Sequence, residues 1–183
     1  MKEQVDSLAS RLKTGDRQAA GELVDIYYKQ LYLFMRRLGH NRQTSEDLTQ
    51  DIFIQAWQHI GRLKDGGALN GWIYRIAGNA SKHYWRKNKD KKAVGIECVD
   101  EPYSRENSFD NTEHNEQLGR LKIAVAGLSI KLKESVVLHY MQQLTIAEAA
   151  EAAGIREGTF KSRLNRALRA LRKQLDSKSV DSL

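Results

Sequence analysis

Residues 145–173 constrain the fold more than any other part of the chain, because they have the pattern of two helices separated by a glycine. Thr145 is a suitable N-cap, and Glu148 three residues later completes a capping-box pattern. Small apolar residues then recur at helical spacing up to Gly154, whose freedom to adopt a positive φ suits a sharp helix exit. The pattern predicts a first helix over about Thr145 to Ala152 and, with the next segment, a helix-turn-helix.

The helix predicted after this turn has an apolar face and a separate basic face. The apolar face consists of Phe160, Leu164, Ala167, Leu168, Leu171 and Leu175. The basic face follows steps of four, three and four and consists of Ser162, Arg166, Arg169 and Lys173. Residues 154–178 hold eight Lys and Arg against two Asp and Glu, so this end of the chain should be attracted to a polyanion. The shape and charge fit a DNA major groove, whereas a solvated basic face is the plainer alternative.

Composition indicates an almost wholly helical chain that favours nucleic acid. The 183 residues include one proline and one cysteine and carry a net charge of +7, and a lone cysteine, Cys98, excludes a disulfide framework or a cysteine-rich zinc site. The histidines are scattered, so we expect no metal and no cofactor. Since neither a membrane span nor a signal core follows Met1, we predict a cytoplasmic protein without membrane insertion.

The chain divides into two small helical domains joined by a flexible acidic linker. Residues 88–117 break the helical pattern, contain the only proline, and hold eight Asp and Glu against four Lys and Arg. Polar, acidic segments of this kind rarely bury enough apolar surface to fold. We therefore expect an all-α fold with domains at 1–87 and 118–175, the linker at 88–117 and a tail at 176–183.

The first domain should contain a leading helix near residues 2–13 and three stronger helices. Asp16 is the expected cap of the second helix, which ends near Gly39, and Thr44 or Ser45 is the expected cap of the third. The buried stripe of the third helix is predicted to contain Leu48, Ile52, Phe53, Ala56, Trp57 and Ile60. The second domain is expected to begin with the apolar residues Leu118, Leu121, Ile123, Val125 and Leu128.

Two polar surfaces stand out in the first domain. A stripe at steps of four, three and four lies on the helix after the loop at residues 62–70, and it consists of Arg75, Asn79, Lys82 and Arg86. With Tyr84 and Trp85 interleaved, it suits phosphate contacts and stacking on exposed bases, although an ordinary solvated face has the same pattern. The preceding helix carries an acidic edge, which would repel DNA and therefore favours a basic protein partner.

Three segments together resemble the conserved segments of the extracytoplasmic-function (ECF) group of bacterial sigma factors, in the same order and spacing. They are Ser45 to Phe53, Trp72 to Asn79 and Gly158 to Ala167. Members of this group are the promoter-recognition subunits of bacterial RNA polymerase and contain two helical domains. The resemblance implies a non-enzymatic factor that binds core polymerase, reads the -35 element, and recognises and melts the -10 element.

The resemblance also assigns roles to residues. The -35 DNA is assigned to Thr159, Lys161, Ser162, Arg163, Asn165 and Arg166. The -10 DNA is assigned to Arg62, Lys64, Asn70, Arg75, Asn79, Lys82, His83 and Arg86, with His83 at a position where the family usually has Asp. The polymerase clamp helices are assigned to Asp47, Leu48, Gln50, Asp51 and Phe53. Further implied partners are the polymerase flap, promoter DNA and an anti-sigma factor, which in this family is often membrane-bound.

Two other functions fit parts of the sequence. An autonomous helix-turn-helix regulator would bind duplex DNA as a dimer and would not need the acidic edge. A metal-dependent nucleic-acid enzyme would use Glu46, Asp47 and Asp51 as ligands, but no histidine or carboxylate of a third helix completes a recognisable set.

Overall fold

A computed structural model describes residues 2–63, 65–88 and 112–180, and within these ranges the regular structure is entirely helical. The first lobe contains α1 (Lys2–Lys13), α2 (Arg17–Arg37), α3 (Arg42–His59) and α4 (Leu69–Lys87). The second contains α5 (Thr112–Ala126), α6 (Ile130–Val136), α7 (Ile146–Ala153) and α8 (Glu157–Val180). Two short 3-10 turns, Ile60–Arg62 and Gly66–Ala68, link α3 to α4, and a π turn, Val137–Met141, extends α6. The expected all-α, two-domain fold is confirmed.

Capping side chains set where α2 and α3 begin. One of the two caps differs from the sequence prediction. Asp16 caps α2 by accepting from the backbone N–H groups of Gln18 and Ala19, as expected. The cap of α3 is Asn41, whose side chain accepts from the N–H of Thr44, so the assignment to Thr44 or Ser45 was wrong. Ser45 is instead fully buried inside the first turn of the helix.

Both ends of the second lobe also differ from the expected ranges. Helix α5 begins at Thr112, inside the segment expected to be linker, and α8 continues through Val180, beyond the expected start of the tail. Residues 89–111, which make up most of the expected linker and include Cys98, lie outside the described residues.

The first lobe is built around an apolar core shared by α2, α3 and α4. Its fully buried members include Leu31, Phe34, Ile52, Leu69 and Ile73. The ring of Phe34 packs edge-on against Tyr74 with centroids 5.3 Å apart. Trp57 was expected in this core but is 39% exposed, because it lies at the edge of the buried stripe of α3.

The second lobe buries the predicted inner face of the helix-turn-helix. Phe160, Leu164 and Ala167 of α8 are buried in the same apolar cluster as the alanines of α7 and Val136 of α6. The capping box is present, with the Glu148 N–H donating to Thr145 Oγ1 at 3.2 Å and the Thr145 N–H donating to Glu148 Oε2 at 2.9 Å. Leu118, Leu121 and Ile123, expected to begin this core, are exposed on α5.

The two lobes contact one another through the face of α4 that is turned away from the first-lobe core. Helices α6 and α7 lie against this face, and Lys82 Nζ and Glu134 Oε1 form an ion pair at 2.9 Å. The Tyr74 hydroxyl donates to Gln142 Oε1 at 2.8 Å, and Arg37 donates to the Met141 carbonyl oxygen at 3.3 Å. The interface therefore combines these polar contacts with close packing of α4 against the alanine-rich α7.

His40 lies buried beside this interface. Its Nε2 is 2.7 Å from Ser81 Oγ, and its ring stacks on Trp85 with centroids 4.9 Å apart. Burial lowers the pKa of His40 to about 4, and the charge of Lys133 on α6 acts in the same direction. Burial also lowers the pKa of Lys133. His40 is accordingly neutral at neutral pH.

The turn of the helix-turn-helix gives a matched pair of glycine substitutions. Gly154 has φ +69° and Gly158 is helical, and an added Cβ would meet nothing within 4 Å at either position. We expect Gly154→Ala to lower the free energy of unfolding by about 1–2 kcal/mol, since an L residue is strained at positive φ. Gly158→Ala should be neutral or stabilising by up to about 1 kcal/mol. Urea denaturation measures both, and equal effects would contradict the role given to the backbone at Gly154.

The buried His40 predicts how stability depends on pH. The unfolded chain protonates this histidine near its ordinary pKa of 6.5, whereas the folded chain does so only near 4. The unfolded state therefore binds more protons between these values, and the free energy of unfolding falls as the pH is lowered through them, by up to about 3 kcal/mol.

His40→Gln is the matched variant, because glutamine is neutral throughout and can still bond to Ser81. Urea denaturation between pH 7 and 4 should show a steeper loss of stability in the wild type than in the variant. Other titrating groups, including Glu134, are common to both chains and cancel in the difference. Parallel curves would show that His40 is not buried in its neutral form.

Candidate nucleic-acid and polymerase interfaces

The first half of α8 presents a polar surface on the side opposite the second-lobe core. The residues exposed there are Thr159, Lys161, Ser162, Asn165 and Arg166. Ser162 Oγ donates to the Gly158 carbonyl oxygen at 2.9 Å, and Arg166 Nε donates to the Ser162 carbonyl oxygen at 3.4 Å. These contacts lie within the helix, so the surface is available to a ligand. The structure thus groups five of the six residues predicted for -35 DNA.

Arg163, the sixth of these residues, is only partly exposed. Burial raises the pKa of the Glu134 carboxyl on α6. The positive charges of Lys82 and Arg163 act in the opposite direction. In this arrangement of the lobes Arg163 is directed toward the lobe interface.

The predicted stripe on α4 is divided in two. Arg75, Asn79 and Arg86 are exposed, whereas Lys82 is partly buried and paired with Glu134. His83 is exposed, and its Nδ1 lies 3.1 Å from Arg86 Nη2. His83 therefore takes part in a local contact at the outer end of the stripe.

The connection between α3 and α4 holds the remaining residues predicted for the -10 element. Arg62 is exposed at the end of the first 3-10 turn, and Lys64 lies outside the described residues. Asn70 is already engaged: Tyr27 donates to its Oδ1, and its Nδ2 donates to Glu148 Oε1 at 3.3 Å. Burial raises the pKa of Tyr27 to about 12, so its hydroxyl remains a donor at neutral pH.

Helix α1 packs against the connection between α3 and α4. The sequence pattern did not show this contact. A Cβ added to Gly66 would lie 2.8 Å from Asp6 Cα and 2.6 Å from Asp6 Oδ1. Only glycine allows the turn to approach the backbone of α1 this closely. This close contact fixes the position of the Gly66–Ala68 turn, which leads into α4, relative to α1.

The acidic edge of α3 adjoins an exposed apolar surface. Asp47, Gln50 and Asp51 are exposed, and Phe53 is partly buried and stacked with Tyr28 of α2. Leu48 is a core residue with 8% exposure, so little of its side chain is available to a partner, and its assignment to the clamp surface stays a prediction. Exposed apolar residues of α2 and α3, which the sequence analysis did not group, include Val24, Tyr28, Ile54 and Trp57.

The signal for this surface was present in the sequence but weak. Ile54 shares a helical line with Asp47 and Asp51, which is unusual for a core residue on an otherwise polar face. A cluster of exposed apolar side chains edged by acidic ones is typical of a protein-binding surface.

Among the described residues, no three His, Cys, Asp or Glu side chains are grouped closely enough to hold a metal ion, and Glu46 is paired with Arg42 at 3.0 Å. In the same residues, no helix has both the length and the apolar character needed to cross a membrane.

Comparison with known families assigns each lobe. The Sigma-70 region 2 family matches residues 23–91, and the Sigma-70 region 4 family matches residues 118–171. The ECF RNA polymerase sigma factor SigW of Bacillus subtilis is 30% identical over 177 residues, covering 90% of this chain and 93% of that protein. The ECF factor SigE of Mycolicibacterium smegmatis is also 30% identical, covering 92% of this chain and 67% of that protein.

Solved structures show the same architecture. The sigma factor RpoE of Bartonella quintana, in complex with the anti-sigma factor NepR, superimposes with a TM-score of 0.64 at 26% identity, covering 85% of this chain and 96% of that one. CnrH, in complex with the cytosolic domain of CnrY, gives a TM-score of 0.71 at 22% identity, covering 94% and 98%, and shows the fold alone. With both lobes matched in order, and with SigW 30% identical over 90% of this chain, this chain belongs to the ECF sigma factors of the sigma-70 family.

Proposed function

We propose that the chain binds core RNA polymerase in the cytoplasm and directs it to promoters, reading the -35 element with α8 and holding the melted -10 element with α4. The observation that carries this proposal is the presence of two exposed cationic helix surfaces, one in each lobe, beside a separate acidic and apolar surface. DNA would occupy the first two and polymerase the third. No covalent chemistry is required of the factor itself.

The surface of α8 has the properties needed for base readout. Arg166 and Asn165 are exposed on the helix that follows the turn, the position from which side chains reach base edges in the major groove. A bidentate arginine contact to guanine supplies about 1–3 kcal/mol of discrimination. Lys161 and Thr159 suit phosphate contacts, which position the helix without specifying sequence.

The surface formed by α2 and α3 suits the clamp helices of polymerase. Asp47 and Asp51 supply charge for a basic partner, while Ile54 and Trp57 supply apolar area that water otherwise covers. An anti-sigma factor is a further proposed partner, because the solved relative RpoE is held by one.

Run-off transcription on genomic fragments, with core polymerase alone and with this chain, tests the proposed function. We expect promoter-specific RNA only when the chain is present. Arg166→Ala should reduce selectivity for the preferred promoter by roughly 5- to 150-fold, the equivalent of one lost base contact. Arg172→Ala removes the same charge from an exposed position two turns further along the same helix and should leave selectivity nearly unchanged. Equal effects of both variants would remove Arg166 from the reading surface.

Asp51→Arg tests the polymerase surface. Asp51 is exposed and its side chain has no bonding partner among the described residues, so the variant should fold normally. It should bind core polymerase at least tenfold more weakly, through repulsion of a basic partner. Asp176→Arg makes the same change at an exposed position of α8 and serves as the control. The measurement is the affinity for fluorescently labelled core polymerase, and equal binding by both variants would place the contact elsewhere.

A further inference from the structure

Helix α1 packs against the turn that leads into the proposed DNA helix α4. This turn, Gly66–Ala68, lies between Arg62 and Asn70, two of the residues assigned to the -10 element. A Cβ added to Gly66 would lie 2.8 Å from Asp6 Cα, whereas an ordinary contact is 3.4 Å or longer. The atom that blocks the Cβ belongs to the backbone of α1, so no change of rotamer could relieve the overlap.

Helix α1 is itself fixed to the rest of the first lobe. Its residues Leu8 and Leu12 are buried in the apolar core. Arg11 Nε donates to Asp16 Oδ2 at 2.8 Å, and Arg11 Nη1 donates to Glu22 Oε2 at 2.9 Å, which ties the end of α1 to α2. Apolar packing therefore fixes one face of α1, and the forked ion pair fixes its orientation.

Local bonds make the turn move together with the start of α4. Asp65 Oδ1 accepts from the Gly67 N–H at 3.1 Å, and the Asp65 carbonyl oxygen accepts from the Ala68 N–H at 3.1 Å. Leu69, the first residue of α4, is fully buried. The position of the turn relative to α1 therefore determines where the start of α4, including Asn70, lies.

The carboxylate of Asp6 does not hold the turn by a hydrogen bond. Its Oδ1 is buried and has no hydrogen-bond partner among the described residues, although it would lie 2.6 Å from a Cβ on Gly66. An unsatisfied buried acceptor is destabilising, so this group does not explain the close approach. The steric fit between the two backbones is what positions the turn.

We propose that α1 is a positioning element for recognition of the -10 element and acts through the contact of Asp6 with Gly66. The proposal rests on the proposed function, from which it takes the assignment of the residues beside the turn to DNA. A binding site must hold its contacting groups within about 0.5 Å of their productive geometry. Restoring an ordinary contact in Gly66→Ala would displace the turn from α1 by about 0.6 Å, which exceeds this tolerance.

Gly66→Ala tests this proposal, with Gly61→Ala as its control. Both glycines lie in the connection between α3 and α4, but an added Cβ at Gly61 meets nothing within 4 Å. Run-off transcription with core polymerase is measured on a promoter that the wild type uses and on two derivatives, one with a changed -10 base and one with a changed -35 base. Gly66→Ala should lower discrimination against the changed -10 base by roughly fivefold or more, the lower end of what one mismatched base pair costs. Discrimination at the -35 element should stay unchanged.

The comparison of the two elements distinguishes positioning from a general loss of stability. A variant that only folds less well lowers transcription from all three promoters by the same factor and leaves both discrimination ratios as they were. Equal -10 discrimination by Gly66→Ala and Gly61→Ala would overturn the proposal. An equal loss of discrimination at both elements would also overturn it.

Arg11→Ala loosens α1 without touching the turn, because it removes the ion pairs with Asp16 and Glu22. Lys13→Ala is its control and removes the same charge from an exposed position of α1. Arg11→Ala should also reduce -10 discrimination, but by less than Gly66→Ala, since the apolar packing of α1 remains. Should Gly66→Ala lose its helical circular dichroism, this second pair decides, and equal -10 discrimination by Arg11→Ala and Lys13→Ala would overturn the proposal.

Transcription by the wild type separates this proposal from the proposed function. Promoter-specific RNA together with equal -10 discrimination by Gly66→Ala and Gly61→Ala would overturn positioning by α1 alone. No promoter-specific RNA from the wild type would overturn the proposed function and, with it, the positioning role of α1.

Discussion

Helix α4 must satisfy three sets of neighbours, and the rest of the structure depends on how its 19 residues are divided among them. Leu69, Ile73 and Ala77 bury one side in the first-lobe core. Gly71 and Gly78 form a second side, against which the other lobe packs, and the outward stripe begins at Arg75. Because the helix has 3.6 residues per turn, these three sides lie on different faces of α4. A change of one residue in register would place charges in the core.

The contact between the lobes adds buried polar groups to the close packing of α4 against α7. Each core is apolar, whereas the contact buries Glu134, leaves its Oε2 without a hydrogen-bond partner among the described residues, and buries Lys133 beside it. A buried ion pair often gains little net stability, because desolvation offsets the attraction, and an unsatisfied buried polar atom costs about 1–3 kcal/mol. The polar groups at this contact therefore add little net stability to it.

The parts of this structure that the sequence could predict are those specified by neighbouring residues. The capping box at Thr145 and the positive φ at Gly154 depend on a few adjacent positions, so both were predicted and are confirmed. The exposure of Trp57 and the burial of Leu48 depend on how α3 packs against α2, which helical spacing alone does not determine. The lobe contact was not predicted at all. It joins residues such as Asn70 and Glu148, 78 positions apart, and only the assembled fold shows that their spacings match.

The covalent connection between the lobes raises the fraction of molecules in which a weak lobe contact is formed. Residues 88 and 112 are 24 positions apart, and a connection of that length holds its ends at an effective concentration of roughly millimolar order. A lobe contact with a dissociation constant of about 0.1 mM between separate lobes would then be closed about ten times more often than open. Polymerase would need to supply about 2.7 kcal/mol to reverse that ratio.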